Sequence, residues 1–172
     1  KIVAIIPVHV WGNACWLDDL IELCNDRNIT MVEDASESLG SVYTSGNFKG
    51  KHTGSIGKFG CLSFNGNKII TTGGGGMILT NFQEIADKAY YLTTQAKDDH
   101  INYIHNEIGY NFRLTNIQAA LGVAQLEQLQ IFLKRKKEIY DFYQSRIEHI
   151  NGLSLSMVPD YADMNHWLNL LQ

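Results

Sequence analysis

The chain has 172 residues, of which 45% are hydrophobic and 19% charged, and its formal net charge is -4. These values are typical of one globular domain with an apolar core, and the negative charge favours neither a nucleic-acid surface nor a polybasic membrane patch. The three cysteines, Cys15, Cys24 and Cys61, are odd in number and lie in apolar surroundings, which argues against a disulfide framework and for a cytoplasmic protein. The histidines show no spacing typical of a metal site, so we expect none.

The first part of the chain predicts a strand, a helix and a second strand. Residues 1–6 form an apolar run that is typical of a buried strand. Apolar side chains then recur at helical spacing from Trp16 to Cys24. Residues 29–32 form a second strand, which ends at Glu33 and Asp34. This order predicts parallel strands joined by a right-handed crossover, and hence an α/β fold with a mainly parallel sheet.

The middle of the chain predicts two more strands around a glycine-rich segment. Residues 44–57 combine four glycines with polar residues and are interpreted as an exposed loop. Strands are predicted at residues 59–64 and 77–80, and the segment 65–76 between them ends in four consecutive glycines. Such a segment lets a ligand approach the backbone closely.

The last third of the chain predicts mostly helix. Asn81 with Glu84, and Thr115 with Gln118, have the spacing of helix N-terminal caps. We expect the first helix to reach about residue 93 and the second to continue unbroken to about residue 149. Asn151 and Gly152 then end it, and residues 153–158 are predicted to be a strand.

The ends and the long helix suggest how the chain is organised. The chain begins and stops within apolar runs, so we expect it to be an internal part of a longer protein. Residues 1–130 are predicted to belong to a large domain. Residues 131–172 are predicted to be a linking helix and the start of a small α+β domain.

Three polar side chains are predicted at the carboxyl ends of strands, where open α/β sheets bind ligands. Asp34 and Ser63 each end a strand, and Lys68 lies in the glycine-flanked turn that follows. A lysine together with a carboxylate suits pyridoxal phosphate (PLP), whose carbonyl bonds the amine while the carboxylate faces the pyridinium nitrogen. The residues alone also permit a helix-capping Asp34, an exposed turn lysine and a serine that bonds its local backbone.

Other ligand motifs have weaker support. The run Gly73–Gly76 lacks the G-x-G-x-x-G spacing, and Gly50-Lys51-His52 lacks the hydroxyl residue that follows the lysine of a P-loop. A plain nucleotide-binding α/β domain is therefore disfavoured. The basic run Lys134–Lys137 is interpreted as a solvated helix face, with contact to a diphosphate as the alternative.

Several strings resemble a known enzyme family. Val32-Glu33-Asp34-Ala35-Ser36-Glu37, Cys61-Leu62-Ser63-Phe64-Asn65-Gly66-Asn67-Lys68 and Gly109-Tyr110-Asn111-Phe112-Arg113-Leu114 occur in the order of the DegT/DnrJ/StrS-type nucleotide-sugar aminotransferases. The opening Pro7-Val8-His9 and the helix Gln118–Gly122 resemble the family too. The resemblance implies the large domain of a fold-type I, aspartate-aminotransferase-like PLP enzyme, and family members are considerably longer than this chain.

The resemblance also implies a role for each site residue. Lys68 would carry the cofactor and shuttle the proton, Asp34 would pair with the pyridinium nitrogen and Ser63 would bind the phosphate. Glu37 takes a position, often Gln in relatives, near the phenolic oxygen or the sugar. Asn111 would reach the cofactor phosphate of a neighbouring subunit, which implies a homodimer with shared active sites. His166 would lie near the substrate.

The implied reaction moves an amino group from glutamate to a nucleotide-linked keto sugar in cell-surface glycan biosynthesis. The strings around Lys68 most resemble enzymes that act on UDP-linked 4-keto-6-deoxy amino sugars, as in legionaminic acid synthesis. Two alternatives are a non-catalytic sensor on the same scaffold and a sugar dehydratase relative, which has histidine in place of Lys68. We expect the 172-residue piece to be inactive alone.

Overall fold

A computed structural model describes all of residues 1–172, and a four-stranded sheet forms its centre. The strands of the chain are β1 Ala4–Ile5, β2 Thr30–Asp34, β3 Val42–Tyr43, β4 Phe59–Ser63, β5 Gly76–Leu79 and β6 Ala162–Asp163. The central sheet has the order β1, β2, β4, β5, and the first three strands run parallel while β5 is antiparallel to β4. A second, two-stranded sheet pairs β3 with β6 in antiparallel register. The predicted mainly parallel sheet is thus confirmed.

Four α-helices accompany the sheets. They are α1 Asp18–Arg27, α2 Gln83–Thr93, α3 Asn116–Leu126 and α4 Leu129–Ile147. Helix α1 connects β1 to β2, which are parallel neighbours, and this confirms the predicted strand–helix–strand unit. No helix is both long enough and apolar enough to cross a membrane.

The main apolar core lies under α1 and joins both sheets. It is built from Ala14, Leu17, Cys24, Met31, Tyr43 and Ala162. Tyr43 is buried and its hydroxyl donates to the Cys15 carbonyl oxygen at 2.7 Å, so the one polar atom of this ring is satisfied. Because Ala162 belongs to this cluster, the last quarter of the chain is anchored to the first.

The first strand is shorter and less buried than predicted. Only Ala4 and Ile5 form β1, and Ile2 is 71% exposed. In this chain β1 lies at one end of the strand order, and only β2 pairs with it. An apolar run alone does not distinguish an edge strand from a central one.

The N-cap of helix α2 lies one residue later than predicted. Phe82, not Asn81, occupies the N-cap position, and it makes no side-chain cap bond. The side-chain amide of Asn81 instead donates to the Ser55 carbonyl oxygen at 3.4 Å, so it contacts another loop and does not cap the helix. The Asn81–Glu84 capping prediction is therefore wrong, although the helix itself is confirmed.

The predicted single helix after Thr115 is two helices. Helix α3 ends at Leu126 and α4 begins at Leu129, although Glu127 and Gln128 are good helix formers. The side chain of Gln125 accepts a hydrogen bond from the Thr71 backbone amide at 2.9 Å. This hydrogen bond joins the end of α3 to the glycine-rich loop. It is a tertiary contact, which the local sequence pattern does not predict.

The predicted strand at 153–158 is replaced by extended chain. Leu155 makes an isolated antiparallel bridge with Leu171, and Ser154 exchanges two backbone hydrogen bonds with Gln172. The strand that forms nearby is β6, which the sequence analysis did not predict. The proposed domain boundary at residue 130 stays a prediction.

The cap at Thr115 gives the first testable prediction. Its hydroxyl accepts from the Gln118 amide at 3.3 Å, and the Gln118 side chain accepts from the Thr115 amide at 3.2 Å, so the predicted capping box is confirmed. We expect Thr115→Ala to lower the free energy of unfolding by about 1 kcal/mol. Urea unfolding measures this change, and Thr115→Ser, which keeps the hydroxyl, is the control. Equal losses in both variants would contradict the capping role.

Candidate active site

Asp34 lies at the carboxyl end of β2, at the edge where β4 also ends. Its backbone pairs with Cys61 of β4 on one side and with Val8 on the other. One carboxylate oxygen, Oδ1, accepts from the amide and the hydroxyl of Ser36 at 3.1 and 2.6 Å. The other oxygen, Oδ2, accepts no hydrogen bond from the chain, so Asp34 is fixed in orientation with one oxygen left for a ligand.

Ser63 lies on the same face of the sheet as Asp34. Asp34 is the register partner of Cys61, and side chains two residues apart along a strand share a face. Burial and the nearby Asp34 carboxylate both raise the pKa of the Cys61 thiol, as expected for neighbours on one face. The side-chain Oγ of Ser63 accepts from the backbone amide of Asn65 at 3.4 Å. The hydroxyl proton of Ser63 has no acceptor in the chain.

Lys68 lies in the loop that connects β4 to β5. This loop turns back on the end of β4, because the backbone of Phe64 donates a hydrogen bond to the Gly75 carbonyl and accepts one from the Thr72 amide. The Lys68 amide donates to Asn65 at 3.1 Å and closes a tight turn. The loop places Lys68 at the carboxyl end of β4, beside the edge where Asp34 and Ser63 lie.

The Lys68 ammonium is enclosed by two side chains from other loops. Its Nζ lies 3.9 Å from Oε1 of Glu37 and 4.1 Å from the ring centroid of Trp167. The second oxygen of Glu37 accepts from the Trp11 amide at 2.6 Å. The Lys68 side chain is 14% exposed, so the amine is largely covered but still reachable.

Asn165 attaches the Trp167 segment to the loop that follows Asp34. This side chain is 1% exposed, and its amide donates to the carbonyls of Glu37 and Leu39 at 2.8 and 2.9 Å. Its oxygen accepts from the Trp167 amide at 2.9 Å. The indole Nε1 of Trp167 then donates to the Asn67 carbonyl at 2.7 Å, so one short segment joins both loops of the site. The sequence analysis missed Asn165 and Trp167.

Glu33 is a buried carboxylate directly behind the site. Its oxygens accept from the His9 ring at 3.0 Å and from the backbone amides of Gly54, Ile56 and Gly57 at 2.6 to 2.8 Å. Burial alone would raise the pKa of Glu33, but these hydrogen bonds outweigh it and lower the pKa below its ordinary value. Because strand side chains alternate, Glu33 supports the loop at 54–57 while Asp34 faces the other side of the sheet.

His166 is next to Trp167 in the chain, but its ring lies against α4. The ring is 4.5 Å from that of Tyr140, and Nδ1 is buried without a hydrogen-bond partner. Burial lowers the pKa of His166, and the positive charge of Lys137 lowers it further. His166 lines a cavity of about 800 Å³ together with Lys134 and Lys137. The structure thus does not bring His166 into contact with Lys68, and its substrate role stays a prediction.

Asn111 lies apart from the other predicted residues. It is exposed, forms an isolated bridge with Thr94 and lines a separate cavity with Tyr90 and Arg113. The structure brings Asp34, Glu37, Ser63 and Lys68 to one edge of the sheet, whereas the cavity at Asn111 includes none of these four residues. No group of three or more His, Cys, Asp or Glu side chains is arranged to hold a metal ion.

The residues at this edge fit PLP. Oδ2 of Asp34 is free to accept from a protonated ring nitrogen, the Ser63 hydroxyl is free to donate to a phosphate, and Nζ of Lys68 is a primary amine with no close hydrogen bond. These are the three kinds of group that the cofactor's nitrogen, phosphate and carbonyl require. The arrangement can therefore fix both ends of the cofactor and present an amine to its carbonyl carbon.

Comparisons with known proteins give matches along nearly the whole chain. The sequence profile of the DegT/DnrJ/EryC1/StrS aminotransferase family matches residues 1–171. The chain is 43% identical over 150 residues to the GDP-perosamine synthase of Escherichia coli O157:H7, covering 87% of this chain and 40% of the relative. It is 35% identical over 167 residues to the UDP-4-amino-4,6-dideoxy-N-acetyl-beta-L-altrosamine transaminase of Campylobacter jejuni, covering 96% and 43%. The chain thus spans less than half the length of these relatives.

A solved structure shares the fold. The structure of DesV from S. venezuelae superposes with a TM-score of 0.88 and 27% identity, covering 98% of this chain and 44% of DesV. The predicted fold-type I class is therefore confirmed. The match extends over both the sheet that carries Asp34 and the segment that carries Trp167.

Proposed function

This chain belongs to the DegT/DnrJ/EryC1/StrS aminotransferase family, and on that premise we propose that its protein transfers an amino group to a nucleotide-linked keto sugar by PLP-dependent transamination. The observation that carries the proposal is the enclosed amine of Lys68, held at the sheet edge where Asp34 keeps one carboxylate oxygen free. The dehydratase alternative is disfavoured because position 68 is lysine.

PLP, when bound, supplies a carbonyl carbon for amines and a ring that withdraws electrons from the reacting carbon. Asp34 would hold the ring nitrogen protonated, because an adjacent carboxylate favours the charged form. Ser63 would donate its hydroxyl proton to the phosphate. Lys68 would first bond the cofactor through Nζ and, once released, carry a proton at Nζ between the reacting carbons. Glu37, 3.9 Å from Nζ, would stabilise the ammonium form.

The proposed acceptor is a UDP-linked 4-keto-6-deoxy amino sugar, and glutamate is the proposed amino donor. The likeness to the altrosamine transaminase of Campylobacter jejuni supports a UDP-linked sugar. The likeness to GDP-perosamine synthase favours a second candidate, a GDP-linked 4-keto-6-deoxy sugar. In both cases the product would be a 4-amino sugar for a cell-surface polysaccharide.

The proposed assembly is a homodimer with shared active sites in the cytoplasm. Asn111 is exposed and lines a cavity that includes none of the predicted residues around Lys68, which suits a side chain that serves a neighbouring subunit's cofactor. All three cysteines are free, in keeping with a reducing compartment.

Borohydride trapping on the full-length protein tests the cofactor chemistry. We expect incubation with PLP followed by borohydride to leave the reduced cofactor on Lys68, found by mass spectrometry of the peptide that contains residues 65–76. Addition of glutamate before borohydride should release Lys68 and abolish the adduct. A folded protein that carries no adduct on Lys68 would instead support the non-catalytic sensor. UDP- and GDP-linked keto sugars, offered separately, then decide between the two acceptors.

A further inference from the structure

Trp167 makes two contacts that both act on Lys68, and the proposed function assigns this residue no role. The face of its indole lies under the ammonium, with Nζ 4.1 Å from the ring centroid. Its edge donates from Nε1 to the carbonyl of Asn67, the residue before Lys68, at 2.7 Å. One side chain therefore restrains both the backbone and the amine of the lysine.

Trp167 is itself held firmly. It is 6% exposed, and its backbone amide donates to the buried Asn165 side chain. Its carbonyl accepts from Nζ of Lys136 on α4 at 3.0 Å. A ring fixed in this way can act as a support, because its own position is set by contacts that do not involve Lys68.

We propose that Trp167 is a positioning residue for Lys68, an indole support that keeps the free ammonium aimed between Glu37 and the sheet edge. Among the aromatic side chains, tryptophan attracts a cation placed over its ring face most strongly. The bond to Asn67 adds a second restraint, since it fixes the turn from which Lys68 projects. The inference rests on the proposed function, which gives the lysine its task.

The consequence for the reaction is specific. In the proposed reaction Lys68 would be released from the cofactor in every cycle, and its four-carbon side chain is flexible unless another group restrains it. An indole beneath Nζ restricts the amine to one place while it carries the proton. Removal of the indole should therefore lower kcat and leave the KM for the keto sugar unchanged.

Competitive acetylation of the cofactor-free full-length protein tests the support directly. We expect Trp167→Leu to speed acetylation of Lys68 by about 3- to 10-fold at fixed pH, within the range of a lost cation–π pair. Trp167→Phe, which keeps a ring face and loses the Asn67 bond, should give about a twofold increase for the same reason. Lys58, which lies over the Phe82 ring, is the internal reference, and Trp16→Leu is the matched control at a tryptophan packed on Tyr161.

The outcomes distinguish failure of the positioning role of Trp167 from failure of the proposed function. Faster acetylation of Lys68 alone, with circular dichroism unchanged, supports the positioning role. Acetylation equal to wild type, or an equal increase at Lys58, overturns it. If Trp167→Leu fails to fold, Trp167→Phe decides by the same criterion. Failure of the proposed function would appear elsewhere, as the absence of a borohydride adduct on Lys68 in the wild-type protein.

Discussion

Lys68→Arg is expected to abolish transamination by the full-length protein. Loss of a proton-transferring side chain alone lowers rates by about 10²- to 10⁴-fold. The covalent attachment to the cofactor is lost as well, because a guanidinium is always protonated and is not a nucleophile. The arginine keeps the positive charge near Glu37 and Trp167, so the fold around it should survive. Amino-sugar formation, followed by chromatography, measures the loss.

The control for this substitution is another lysine of the same chain. Lys58 also lies over an aromatic ring and beside a carboxylate, since Nζ is 4.0 Å from the Phe82 centroid and 3.1 Å from Glu84. Lys58→Arg should keep wild-type activity. Activity in Lys68→Arg within tenfold of wild type would contradict the role of Lys68, and it would leave the fold assignment untouched.

Glu33→Ala is expected to cost about 3 to 5 kcal/mol of unfolding free energy, the range for removing one partner of a buried ion pair or its equivalent. The substitution leaves the amides of Gly54, Ile56 and Gly57 and the buried His9 ring without their acceptor. Buried donors without an acceptor are costly because they lose their hydrogen bonds to water and gain none within the protein. Urea unfolding measures the loss.

Glu84→Ala is the matched control, because Glu84 pairs with Lys58 in an exposed position. We expect a change of less than about 1 kcal/mol there, as for surface ion pairs in general. Similar losses in the two variants would show that the Glu33 contacts contribute little to stability.

The free energy of unfolding at acid pH should depend on the ionisation of Glu33. The pKa of Glu33 in the folded protein is lower than its ordinary value of 4.5. Its contribution to stability is therefore present above pH 4.5 and is lost as pH falls through the lower, folded-state pKa. Unfolding free energy measured from pH 6 to pH 3 should fall more steeply in wild type than in Glu33→Gln, which has no charge to lose.

Local pattern was sufficient for several elements that lie close together in sequence, although it placed the N-cap of α2 at the wrong residue. The β1–α1–β2 unit and the cap at Thr115 follow from apolar spacing and from one hydroxyl, and both are confirmed. The positions of Asp34 and Ser63 follow from the rule that parallel strands end at one edge. The break after Leu126 could not be predicted in this way, because a contact between Gln125 and Thr71 accompanies it.

The remaining parts of the site depend on contacts between distant residues. Trp167 and Asn165 bond loops that lie 100 and 128 positions away in the sequence, and nothing in their own neighbourhood indicates a partner. Glu33 was predicted only as the end of a strand. Its buried role needs the knowledge that the loop at 54–57 returns to it, which is a property of the folded chain.

The hydrogen bond from Trp167 to Asn67 also limits when this part of the site can form during synthesis on the ribosome. It joins residues 100 positions apart, so the indole is synthesised long after the lysine beside Asn67. At ribosomal speed that interval is about 5 to 20 s. Within this interval Trp167 cannot yet restrain Lys68. Of the contacts described around this lysine, those of the indole are therefore the last that can form.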